Sequence, residues 1–448
     1  MFKKSMAAFL AAAMVMSSLT GCSGAGSGAN SGGGVESGKE PQSSQAASEA
    51  EGNESEEVVL TLWYWKNSIR EDLLAQVSEQ FPGVTIKAEL FSADDIEEKI
   101  NTTIASGGEL PDLLPMDDWI ANLLQYPDLF VNLYDAPCNA KEIEDQYVEW
   151  KWKRAETVDG KLIALPMDIG PTCMFYNASL FEAAGLPTEP AEVAAAMSTW
   201  EDAYAAARKL QEATPNVKMF DFMGHLFVSA LGQQSMHMID QEGNFIADQD
   251  HIRKAFMTAA EGKPYVYGGD TEWSSEWAAS LNNGDVAAFV GAVWMKPELQ
   301  DAAPDTAGQW RVTTAPGGAG NVGGSAIGIT KNCKNVETAY KVLTWMTNTE
   351  NQVKSLEQLG LFPSLISALD DPALMYEEEF FGNQVVNEYF VKAAKEINDY
   401  YYPPNYSSYQ SAFEQQLLLV QDQDKDPEEA FADAVKEAKE IYDLEYMK

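Results

Sequence analysis

Apolar and polar positions along the chain switch repeatedly between a period of two and a period near 3.6. Val58 to Trp65 (VVLTLWYW) is mostly β-branched and aromatic and reads as a strand. Leu73, Leu74, Val77 and Phe81 follow at helical spacing until Pro82-Gly83 stops them. Val84 to Leu90 reads as a second strand, and Ile96, Ile100, Thr103 and Ile104 mark a second helix. Gly107-Gly108 then lead into Leu110 to Trp119, where a third strand is expected before Asp117-Asp118. Strand, helix, strand, helix, strand builds a mostly parallel α/β sheet. Ligands of such sheets gather at the carboxyl ends of strands, which puts Trp65, Asp117 and Asp118 at one mouth.

The stretch Gly160 to Leu186 organises the rest. Leu162 to Pro166 reads as a short buried strand, and Asp168, Gly170 and Pro171 then break the chain beside a carboxylate. Cys173 to Tyr176 starts a second apolar run, Asn177 caps a short helix, and Gly185 ends it. This is the pattern of a crossing between two lobes. Further on, Thr199 is an N-cap with Asp202 three residues later. Residues 216 to 275 are mixed in pattern. Ser280 to Val293 reads as helix end, turn and strand, delivering Trp294 at its tip, and Trp310 to Ala315 as a further strand and second crossing. After the Gly-rich stretch Gly317 to Gly324, Ser325 to Thr330 is a strand and Asn335 caps a helix. The last third is helical, interrupted by Tyr400, Tyr401, Tyr402, Tyr406 and Tyr409, and its final helix starts at Asp426-Pro427.

Length and charge narrow the classes. At 448 residues two lobes or domains are expected rather than one core. The formal charge of −39 excludes a nucleic-acid surface, which needs clustered Lys and Arg, and equally a basic face resting on anionic lipid. Lys3 and Lys4, an apolar run from Met6 to Leu19 too short to span a bilayer, and Leu19-Thr20-Gly21-Cys22 read as an export signal. From Ser23 to Glu57 the chain is almost entirely Gly, Ser, Ala, Asn, Glu and Gln, a tether with an end-to-end distance of roughly 30–35 Å. Cys138, Cys173 and Cys333 read as buried small hydrophobes, with one disulfide as the alternative.

With 11 Trp and 18 Tyr, this acidic chain has the means to cover the C–H faces of a sugar while carboxylates and amides take its hydroxyls. The aromatic platforms to consider are Trp63, Trp65, Trp119, Tyr176, Trp294 and the Tyr406/Tyr409 pair; the polar ones are Asp117, Asp118, Asp168 and Gly324-Ser325. Each has a plainer reading as core, helix terminus or turn. Gly318 to Gly323 fits G-x-G-x-x-G, but a strand rather than a helix follows, which argues against a dinucleotide. Asp422, Asp424 and Asp426 open like a calcium loop, yet Pro427 stands where Gly is required. His225, His237 and His251 lack metal spacing, and no hydrolase or Walker motif is present, so no cofactor is expected.

Gly160-Lys161, Ala164, Pro166, Tyr176-Asn177, Leu180-Phe181 and Ala184-Gly185-Leu186 resemble the first hinge of maltose-binding-like extracellular solute-binding proteins, the ligand-capturing subunits of bacterial ABC importers. Ser280 to Trp294 resembles that family's strand ending in Trp, here one residue longer than its common spacing, and Leu19 to Cys22 resembles its lipobox. The resemblance implies a periplasmic-binding-protein-like α/β fold of class II type, two lobes with a discontinuous chain and a hinge. It implies a signal peptide over 1–21, a lipidated Cys22 with linker over 22–57, an N-lobe of 58–168 with 316–360, and a C-lobe of 169–315 with 361–448. It implies a non-enzymatic protein, anchored by lipid alone to the outer face of the cell membrane, that delivers a carbohydrate, expected to be an oligosaccharide, to a permease. It places Tyr176 and Trp294 at the cleft. Two alternatives stay open: a secreted carbohydrate-active enzyme using Asp168 with Asp117 or Asp118, and the same fold binding a peptide, polyol or amino compound.

Overall fold

The computed structural model describes residues 57–269 and 274–446. Cys22 and the segment before residue 57 lie outside them. β1 (Val58–Trp65) buries Leu60, Leu62 and Tyr64 on one face, as its alternation requires. β2 (Val84–Phe91) lies parallel to it, paired from Val58↔Val84 to Trp65↔Phe91, and β3 (Leu113–Met116) joins its other edge, also parallel. The helices Glu71–Gln80 and Ala93–Ala105 make the crossovers between them.

Beyond β3 the sheet is completed by distant sequence. β4 (Ala164–Pro166) follows first in the chain, while β9 (Ala326–Ile329) inserts antiparallel between β3 and β4, giving the order β2-β1-β3-β9-β4. Gly328 makes the insertion possible, because a Cβ there would stand 2.5 Å from the Ile163 carbonyl oxygen.

A second sheet has the order β7-β6-β8, all antiparallel: β7 (Ala288–Ala292), β6 (Thr172–Asn177) and β8 (Trp310–Thr313). β6 is central and covered on both faces. Cys173 and Phe175 look towards the core shared with the first sheet; Met174 and Tyr176 look into a second core. The helices Trp200–Ala213, Met223–Gly232, Asp250–Glu261, Tyr406–Gln423 and Pro427–Tyr446 build that second core. Asn177 caps Ala178–Ala183 through the Ser179 and Leu180 amides, Thr199 caps through Asp202, and Asp426 accepts from the Glu428 and Glu429 amides. Asn335 precedes the helix Val336–Met346, but its side chain makes no capping bond.

The chain passes between the sheets at 167–171 and again at 314–325, and the two passages are bonded side by side. Thr172 N donates to Gly320 O at 3.0 Å, Val322 N to Gly170 O at 2.9 Å, and Gly170 N to Asn321 Oδ1 at 2.8 Å. β5 (Asp168–Ile169) pairs with β10 (Phe362–Pro363) to close the same region. The second passage is therefore the Gly-rich segment itself. Trp310 to Thr313, expected to cross, is an edge strand of the second sheet, because its apolar residues have a sheet face to cover. Cys138, Cys173 and Cys333 are buried free thiols. Among the described residues no helix is long and apolar enough to cross a membrane.

Candidate functional site

The carboxyl ends of β1 and β3, the first passage and the Gly-rich second passage converge on one group of charges. Asp168 is buried in β5, and its Oδ1 accepts from Ser325 N at 2.9 Å and from Ser325 Oγ. Lys151, buried on the short helix Glu149–Lys153, donates its Nζ to Gly324 O. Gly324 adopts φ +99° and passes so close to the first passage that a Cβ would meet the Asp168 carbonyl oxygen at 2.8 Å. Only glycine fits.

Asp117 and Asp118 open the turn after β3. Asp117 Oδ1 accepts from Asp118 N at 2.8 Å, and Asp118 Oδ2 accepts from Gly323 N at 3.0 Å. Burial, and then the neighbouring Asp118 and Asp168 carboxylates, push the Asp117 carboxyl up to about 7. Burial also raises Asp168 against the opposing pull of Lys151 and Ser325, and it lowers Lys151. The raised Asp117 value sets a pH dependence. An unfolded aspartate titrates near ~3.9, so protonated Asp117 favours the fold; the contribution is complete below that value and is lost as pH rises through about 7. Melting curves of wild type and Asp117→Asn between pH 4 and 8 should therefore diverge, the variant gaining on wild type as pH rises. Parallel curves would contradict the assignment.

Trp294 stands just across from these acids. Its Nε1 donates to Val322 O at 3.1 Å, and a Cβ on Gly323 would lie 3.4 Å from that nitrogen and 3.9 Å from Asp117 Oδ1. Trp294 is also a wall of a cavity of about 400 Å³ that Phe222, His225, Ser229, Gln410 and Glu414 help to line. His225 is oriented by buried Asp221, whose Oδ2 lies 2.7 Å from His225 Nδ1 and accepts from Trp277 Nε1 at 3.1 Å. The volume lies in the range of small-molecule sites, and its lining of aromatic faces with a few amides, hydroxyls and a carboxylate suits a polyhydroxylated ligand.

Of the residues singled out from sequence, Asp117, Asp118, Asp168, Trp294, Gly324 and Ser325 come together here. Trp65 packs at 6.3 Å from Trp119 at the end of β1, beside the same turn. Trp63 is turned away, against Phe91 and under the Lys99 ammonium. Tyr176 is not at the cleft. Its ring lies in the second core against Phe181 and its hydroxyl donates to Thr188 O at 2.7 Å, because a central strand has both faces covered. Tyr409 is likewise a core residue, its hydroxyl bonded to Glu445 Oε2. Tyr406 is buried, stacked at 4.1 Å on Tyr402 and hydrogen-bonded to His237 Nδ1. Tyr400 and Tyr402, beside it, lie with Trp150 against the Arg154 guanidinium, whose Nη1 is 3.8 Å from Asp118 Oδ1. The sequence reading missed Lys151, Arg154, Phe222, His225, Gln410 and Glu414. For the first two a signal existed: cations three residues apart on one helical face beside two tryptophans, in a strongly acidic chain.

The family model for bacterial extracellular solute-binding proteins matches residues 72–381. The chain is 24% identical over 351 residues to the lactose-binding protein of Rhizobium radiobacter, covering 74% of this chain and 81% of that one. It is 23% identical over 420 residues to the arabinooligosaccharide-binding protein of Bacillus subtilis (strain 168), covering 88% and 95%. Among solved structures, an extracellular solute-binding protein of family 1 superposes with a TM-score of 0.80 at 26% identity, covering 86% of this chain and all of that one. The galacto-N-biose/lacto-N-biose I-binding protein of an ABC transporter from Bifidobacterium longum, solved with lacto-N-biose, superposes with a TM-score of 0.70 at 22% identity, covering 86% and 96%.

Proposed function

Because this chain belongs to the bacterial extracellular solute-binding protein family, we propose that it captures a carbohydrate between two lobes and hands it to an ABC permease. The N-lobe comprises 58–168 with 316–360 and the C-lobe 169–315 with 361–448, hinged at the bonded passages. Lipid on Cys22, following a signal over 1–21, would hold it at the outer face of the membrane, with 22–57 as tether. The observation that carries the reading is the cavity of about 400 Å³ with Trp294 as its wall, Asp117 lying beyond Gly323 from that ring. An aromatic face covers sugar C–H groups while Glu414, Gln410, Ser229 and His225 exchange hydrogen bonds with hydroxyls. The names of the relatives, which bind lactose and arabino-oligosaccharides, support the same ligand class.

The chemistry of the acids favours holding over cleaving. Asp168, the candidate acid of an enzyme, is buried, already accepts two bonds from Ser325, and shares its surroundings with Lys151. The reading is tested at Trp294. Loss of one buried aromatic wall is worth about 1.5–3 kcal/mol, so Trp294→Ala should weaken saccharide binding about 10- to 100-fold in a calorimetric titration. Unchanged affinity in a folded variant would remove the cavity from consideration as the sugar site.

A further inference from the structure

The first sheet ends differently at its two edges. β4 is short, buried and closed by a proline, so it offers little to a further strand. β2, at the other edge, is 8 residues long, has no proline, and pairs with β1 alone. Thr85, Lys87, Ala88, Glu89 and Leu90 are exposed, Leu90 by 52%. Val58 N donates to Gly83 O at 2.8 Å, and this bond sets the phase of the parallel ladder. Thr85, Lys87, Glu89 and Phe91 therefore turn their backbone groups to β1, while Ile86, Ala88 and Leu90 turn theirs outwards. Among the described residues no backbone group bonds to those outward amides and carbonyls.

A row of open amides and carbonyls accepts another strand, and the side chains decide which strand fits. In an antiparallel pair only outward-facing residues exchange backbone bonds, so a second β2 has few registers open to it. Centred on Ala88, the pairing sets Ala88 against itself and Ile86 against Leu90 of the second copy as hydrogen-bonded pairs. Lys87 then stands opposite Glu89 of the second copy, in the non-hydrogen-bonded pair where side chains come closest. The two-fold axis repeats that contact. A slip of one step sets Lys87 against Lys87 or Glu89 against Glu89, and like charges directly opposite repel. Both side chains are exposed and neither is in an ion pair among the described residues, so both are available. On the other face Leu90 lies beside Tyr64 and Ala88 beside Leu62. Ile86 of the second copy covers Leu90 there and carries the apolar face of β1 across the seam.

We propose that β2 is a self-pairing edge, through which two copies of this chain join their first sheets antiparallel with Lys87 facing Glu89. The seam lies at the edge away from β4 and the passage that follows it. The formal charge of −39 on each copy opposes loose association, so a dimer at ordinary ionic strength reports a specific contact.

Sedimentation equilibrium of the purified chain tests this at ~0.15 M salt, where exposed charges more than about 8 Å apart are screened. Wild type should show a concentration-dependent dimer between about 10 and about 500 µM, as suits a short seam. Lys87→Glu and Glu89→Lys should each weaken it at least tenfold, although they move the net charge in opposite directions. The chain carrying both substitutions should dimerise like wild type. An equimolar mixture of the two single variants should form a heterodimer, because each supplies the charge the other lacks. Both positions are exposed, so the fold is not at risk. Three results would each overturn the proposal: a wild type that stays monomeric to about 500 µM, single variants that shift in opposite directions with their net charge, or a double variant or mixture that fails to associate.

Discussion

Asp168→Ala is expected to lower folding stability by about 1–3 kcal/mol, the usual cost of leaving buried donors without their acceptor. Asp168 and Lys151 are 5% and 3% exposed, and Asp168 is one of three carboxylates, after Asp118 and with Asp117, that act on Lys151 in the passage between the sheets. With the carboxylate gone, the Lys151 ammonium keeps Gly324 O but loses a major counter-charge, and Ser325 loses the acceptor for both its amide and its hydroxyl. Asp168→Asn should cost less, since an amide oxygen still accepts from Ser325. Urea denaturation of the three proteins checks this. A midpoint for Asp168→Ala that matches wild type would mean that the Asp168–Ser325 bonds do not hold the passage.

Gly170→Ala should be nearly as damaging. A methyl group at this position would stand 1.8 Å from the Val322 carbonyl oxygen, which belongs to backbone and cannot swing aside. The two passages would have to part, straining Val322 N to Gly170 O and Gly170 N to Asn321 Oδ1. Overpacking of this kind costs about 1–3 kcal/mol. The larger effect should be on binding, because Val322 and Gly323 set the spacing of Trp294 and Asp118. A loss of at least tenfold in saccharide affinity is expected. Gly232→Ala is the control: a Cβ there meets nothing nearer than 3.6 Å, so both melting and binding should stay close to wild type. Equal behaviour of the two variants would contradict the account of the hinge.

What the sequence disclosed follows the range of the forces involved. β1, β2, the Asn177 and Thr199 caps and the helix starting at Pro427 are encoded within a few residues, and they stand where the pattern puts them. Met223–Gly232 escaped notice because it is apolar nearly all round and Phe222 gives it no side-chain cap, so no stripe or start signal marks it. Tyr176 was misplaced because sequence does not say that β6 would be the middle strand, covered on both faces. The acids of the site were readable as the ends of strands. Their partners were not: Lys151 meets Gly324 and Arg154 meets Tyr400 only through folding over hundreds of residues.

The central claim is that the chain holds a saccharide in the Trp294 cleft and releases it unchanged. The most direct measurement is titration of the purified chain with a saccharide panel, following heat and tryptophan fluorescence, with chromatography of the sugar recovered afterwards. The account predicts one-to-one binding that perturbs the tryptophans, returns intact sugar, and at ~100 times the dissociation constant stabilises the fold by about 2.7 kcal/mol. Shortened products, or no binding across the panel by a folded chain, would contradict it.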